Sequence, residues 1–140
     1  MLSDCILRKD SDIIFLVDVT QKGQELASVS RTMREISSFF SFGMNESRIG
    51  LMTYASNVTN QFSLTTHTDH NTLYPALSKF PQIDDDADMI YALRYVRDIG
   101  FAPSNGGRLD SRKVVVMYSS ENWSDLGTLQ SELKNLTSNG

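Results

Sequence analysis

The chain has 140 residues, enough for one domain with a sizeable core and too few for two. Its 40% hydrophobic and 21% charged residues are ordinary proportions for a soluble globular domain. Seventeen acidic against thirteen basic side chains leave a net charge of −4, which argues against a basic face for nucleic acid or anionic lipid.

Asp12-Ile13-Ile14-Phe15-Leu16-Val17-Asp18 is a short, nearly continuous apolar run ending in an acid, the pattern of a central parallel strand buried on both faces. Leu26, Val29, Met33, Ile36 and Phe40 then recur at helical spacing, with Gly43 placed to stop that helix. Arg48 to Ala55 reads as a second strand and Gln61 to Leu64 as a third. Only Ser56 to Asn60 separate them, which suits a hairpin and an antiparallel edge. Asn71 to Lys79 predicts a short helix carrying Leu73 and Leu77. Met89, Ala92, Leu93, Val96 and Ile99 trace another. Lys113 to Tyr118, rich in β-branched residues, predicts a further strand, and Leu126, Leu129, Leu133 and Leu136 a last helix.

The order β-α-β-β-α-α-β-α specifies an α/β fold: a three-layer sandwich around a mostly parallel, doubly wound (Rossmann-like) sheet with one antiparallel edge strand. Residues 1–11 read as a lead-in and 12–140 as one domain. No strand follows the last helical stripe, which would leave the Val114–Val116 strand apolar at a sheet edge. The sequence is therefore expected to be a fragment, incomplete at its C-terminus.

No apolar run approaches the roughly 20 residues of a membrane span, and the first residues carry no basic region or long apolar stretch typical of a secretory signal. The single cysteine, Cys5, cannot form an internal disulfide, and no Cys/His cluster has zinc-ligand spacing. No glycine-rich phosphate loop, nucleophile elbow or Cys–His pairing appears, so catalysis has little support. His67 and His70 lie in a polar connection and read as surface residues. Asp84-Asp85-Asp86 with Asp88 is the most acidic stretch; it reads as a solvated loop whose last acids favour the next helix N-terminus. Four Asn-x-Ser/Thr sequons occur, at Asn45, Asn57, Asn122 and Asn135, where composition gives about 1.6 by chance. Asn45, Asn57 and Asn122 fall in expected loops and are the glycosylation candidates.

Taken together, the Asp12–Asp18 strand, Ser47-Arg48-Ile49-Gly50-Leu51-Met52-Thr53-Tyr54, Phe62-Ser63-Leu64, Ala92-Leu93-Arg94-Tyr95-Val96 with Phe101, and Gly107-Arg108 leading into Lys113–Tyr118 resemble a von Willebrand factor type A domain. The resemblance spans nearly all of residues 12 to 138. It implies an adhesion site at the carboxyl ends of the strands, where open parallel sheets bind ligands. In that family the site holds a magnesium-like hard cation, which demands oxygen ligands in near-octahedral geometry. Asp18 matches the first acidic ligand, and Thr20 keeps a hydroxyl at the next position. Lys22 puts an ammonium, and Ala87 a methyl, where the family has hydroxyls; Ser120 replaces a second Asp.

A cation held mainly by Asp18 beside Lys22 would meet a repulsion of roughly several kcal/mol at an effective dielectric of ~20. A Lys22–Asp18 ion pair in place of the metal is the expectation. For Cys5 the resemblance implies a disulfide to a cysteine outside this chain, the alternative being a free thiol in a reducing compartment. The function read from these residues is a non-catalytic protein-binding or adhesion module of a secreted or cell-surface protein, without cofactor, whose partner is a protein, matrix included. The alternative is adhesion through magnesium or manganese at a site rebuilt from Asp18, Thr20 and a carboxylate of Asp86, Asp88 or Glu121. A doubly wound hydrolase that shares only the topology is the third reading.

Overall fold

The computed structural model describes residues 10–119. Strands β1 (Ser11–Asp18), β2 (Arg48–Tyr54), β3 (Val58–Phe62) and β4 (Arg112–Tyr118) form one sheet in the order β3-β2-β1-β4. Strand β1 runs parallel to β2 and β4, while β3 is antiparallel to β2. Helices α1 (Gly23–Ser37), α2 (His70–Ala76) and α3 (Met89–Tyr95) complete the three-layer sandwich.

All eight residues of β1 are buried, as a central strand covered on both faces must be. Its side chains alternate between two cores. Ile13, Phe15 and Val17 pack with Leu26, Val29 and Met33 of α1 and with Leu73 and Leu77 from the α2 region. Ile14 and Leu16 pack on the other side with Met89, Ala92 and Leu93 of α3. Each large apolar side chain so covered contributes about 1.5–3 kcal/mol.

Three sequence expectations need correction. The third strand was placed at 61–64, but it spans Val58–Phe62 because the hairpin turns tightly, with the Ala55 amide donating to the Asn57 carbonyl at 2.9 Å. Gln61 is the extra residue of a bulge, between Asn60 opposite Met52 and Phe62 opposite Leu51. Helix α1 ends at Ser37, short of Phe40 and Gly43. The Ser37 hydroxyl donates to the Met33 carbonyl at 2.7 Å and the Ser38 hydroxyl to that of Glu35 at 2.6 Å, drawing the last carbonyls away from helix continuation. Ile99 is 43% exposed, off the α3 stripe, because residues Val96–Gly100 form a π-helical turn. The Phe101 amide reaches back five residues to the Val96 carbonyl, and the wider turn rotates Ile99 outward. The leucine stripe from Leu126 to Leu136 lies outside the described residues.

The amino end of the sheet holds a polar cluster that the sequence did not announce. Asp12, fully buried within β1, accepts from the Arg108 amide at 2.8 Å and from its guanidinium at 3.0 and 2.7 Å. The Ser111 hydroxyl at 2.5 Å and the Lys113 ammonium at 3.2 Å complete the shell. Burial pushes the Asp12 carboxyl up. The hydrogen bonds from Ser111 and Arg108 outweigh it and hold the group below its ordinary value.

Candidate functional site

The chain leaves β1 for α1 and β2 on one side of the sheet, and it returns to β4 on the other. The carboxyl ends of β1 and β4 therefore flank the topological switch point, where the loops diverge and leave a crevice. Asp18 closes β1 there and is fully buried. Its Oδ1 accepts from the Thr20 amide at 2.9 Å and from the Thr20 hydroxyl at 2.6 Å, a local turn of the kind short polar side chains build. The Asp18 carbonyl takes the Gln21 side-chain amide at 2.9 Å.

Lys22 is the N-cap residue of α1, and its amide donates to Glu25 Oε2 at 3.2 Å. Its side chain is exposed and forms no ion pair with Asp18. The expected Lys22–Asp18 pair is thus corrected. Thr20 bonds one Asp18 oxygen, Oδ1, from within the turn, and Lys22 at the cap position is exposed to water.

The acidic loop is fastened across the same end of the sheet. The Ile83 amide donates to the Val19 carbonyl at 2.8 Å and the Asp88 amide to the Ala55 carbonyl at 2.9 Å. Asp85 accepts from the Ser56 hydroxyl at 2.5 Å and from the Asp86 amide at 2.8 Å, and these bonds hold its carboxyl below the ordinary range. Asp88 accepts from the Tyr91 amide at 3.0 Å and caps α3, as expected of the last acid in the loop. Ala87 turns its methyl onto the core beneath α3. An open depression of about 350 Å³ is lined by Ser56, Asp86, Ala87, Asp88, Met89 and Ile90.

Asp18, at the end of β1, and Thr20, Lys22 and Ala87, beyond the strand ends, thus all lie at one end of the sheet. Ser120 and Glu121 fall outside the described residues, as do Cys5, Asn122 and Asn135. Among the described residues, no three His, Cys, Asp or Glu side chains group as metal ligands, so Asp86 and Asp88 do not join Asp18 in such a set. The bond between Ser56 and Asp85, which pins the loops, was missed because nothing in their spacing marks a contact made across 29 residues.

The histidines are half-buried, not surface residues. His67 meets Phe62 edge-on at 4.7 Å, and burial lowers its pKa against the pull of Asp69. His70 lies 5.5 Å from Phe42 and 5.1 Å from Tyr74. Both rings are absorbed in packing.

A sequence model of the von Willebrand factor type A domain matches residues 12–140. The chain belongs to the von Willebrand factor type A family. Relatives include Matrilin-1 of Gallus gallus, 27% identical over 108 residues, covering 76% of this chain and 22% of the relative. The human Collagen alpha-5(VI) chain is 28% identical over 97 residues, covering 68% of this chain and 4% of the collagen. The chain thus spans less than a quarter of these relatives.

Among solved structures, proximal thread matrix protein 1 of the mussel byssus superposes with a TM-score of 0.82 at 19% identity, covering 95% of this chain and 36% of that one. Another structure of that protein, with a TM-score of 0.79 and 18% identity, has zinc in its MIDAS motif. These structural likenesses show the type A fold alone. No helix among the described residues is long and apolar enough to cross a membrane.

Proposed function

We propose that this type A domain is a non-catalytic protein-binding module of an extracellular matrix protein. It engages a protein partner through the loops at the carboxyl end of its sheet and holds no metal there. Membership in the family supports the module, and matrilins and collagens, its relatives, are matrix proteins.

One observation carries the metal-independent part: the donor set at the switch point. A magnesium-like ion needs about six oxygen ligands near 2.0–2.1 Å. The described loops offer two oxygen-bearing groups, the Asp18 carboxylate, whose Oδ1 accepts from Thr20, and the Thr20 hydroxyl, whose proton goes to Asp18. At the remaining positions stand an ammonium at Lys22, a methyl at Ala87 and, by sequence, the neutral hydroxyl of Ser120. This set does not fit the ion. A rebuilt site would need Asp86 or Asp88, yet Asp88 is engaged in capping α3.

Restoring the donors tests this reading. The combined variant Lys22→Ser, Ala87→Thr and Ser120→Asp is expected to bind magnesium saturably in calorimetry. Failure to gain binding would show that these positions are not what keeps the metal away.

A further inference from the structure

We propose that Asn57 is an N-linked glycosylation site, favoured over the Asn45 sequon by the geometry of the folded chain, and that its glycan stands at the rim of the ligand face. This rests on the extracellular reading above. Asn57 is exposed at the tip of the β2–β3 hairpin. Its carbonyl accepts from the Ala55 amide, so the backbone is fixed, while its side-chain amide makes no hydrogen bond among the described residues. Thr59, which completes the sequon, is exposed on edge strand β3, where no further strand covers it among the described residues. The sequon therefore stays open to an enzyme after folding.

The Asn45 sequon differs. Asn45 is exposed, but Ser47, its hydroxyl residue, is 3% exposed and accepts from the Ser11 amide at 3.2 Å. That hydroxyl is committed once β1 and β2 pair. Asn57 also has the more consequential position. Its neighbour Ser56 lines the depression beside Ala87 and holds Asp85. A bulky, solvated sugar there restricts approach from the β3 side and leaves the Lys22 side of the face open.

The co-reactant is a lipid-linked diphospho-oligosaccharide of the secretory pathway. The Asn57 amide nitrogen forms a bond to C1 of the first sugar as the C1–O bond to the diphosphate breaks. The nitrogen loses one proton, and the lipid diphosphate departs.

The full chain, expressed behind a secretion leader in animal cells, tests this by peptide mapping after amidase release of glycans in heavy-oxygen water. Trypsin gives residues 49–79 as one peptide, in which Asn57 heads the only sequon. Heavy-oxygen aspartate at position 57 in most molecules is expected. It should vanish in both Asn57→Gln and Thr59→Ala, and persist in Ser47→Ala. An unlabelled Asn57 in both the secreted and the cell-retained pools would overturn the proposal. Because the leader imposes the route, that result bears on the glycan alone, whereas metal titration bears on the module reading.

Discussion

Replacing Asp12 with alanine is expected to lower folding stability by about 3 kcal/mol, the lower end of what breaking a buried ion pair costs. The carboxylate is fully buried, while the Arg108 and Lys113 side chains keep 19% and 15% of their exposure. Without Asp12 the two cations face each other across a hole, with water reaching them only in part. Urea denaturation measures the loss; a change below about 1 kcal/mol would show that the cluster is not a stabilising node.

The same group sets an acid limit. Its pKa in the folded chain lies below the ordinary 3.8, so its contribution is fully present above 3.8 and is lost as pH falls through the folded value. Wild-type stability should therefore fall more steeply below pH 3.8 than that of Asp12→Asn.

Gly107→Ala is expected to have the larger effect, on the order of 4 kcal/mol or more, enough to prevent folding. A Cβ at Gly107 would lie 1.8 Å from the Phe101 carbonyl oxygen and 2.5 Å from its carbon, both main-chain atoms. The neighbouring Gly106 adopts φ +88°, so the turn that delivers Arg108 to Asp12 depends on two glycines. Gly43→Ala is the control: its Cβ would meet only the Thr68 carbonyl oxygen, at 3.9 Å. Thermal melts should place Gly43→Ala within about 1 kcal/mol of wild type. A cooperative, wild-type-like melt of Gly107→Ala would contradict the arrangement of this loop.

Much of the fold was legible because burial writes itself into periodicity. The unbroken run from Ile13 to Val17 fitted a strand covered on both faces, and Leu26, Val29 and Met33 marked the inner face of α1. Where local hydrogen bonding competes with period, the pattern misled. Ser37 and Ser38 ended α1 early, and the π-helical turn moved Ile99 to the surface although its spacing continued the stripe.

What was legible of the candidate site was the placement of its residues. Matching residues to the family's motif brought Asp18, Thr20, Lys22 and Ala87 to one end of the sheet. Their partners were not legible, since a lysine four residues from an aspartate says nothing about a threonine that bonds one carboxylate oxygen from two residues away. The Asp12 cluster joins residues 96 to 101 positions apart. One signal could have exposed it: an acid inside an otherwise apolar buried run requires a cation, and Arg108 and Lys113 lie just before and at the start of β4.

The central claim, a type A module that engages its partner without a metal, is tested most directly by calorimetric titration of the chain with magnesium and manganese. No binding heat and no shift in melting temperature are expected at millimolar metal. Saturable binding that disappears in Asp18→Ala would contradict that claim and establish a metal-dependent site at the end of β1.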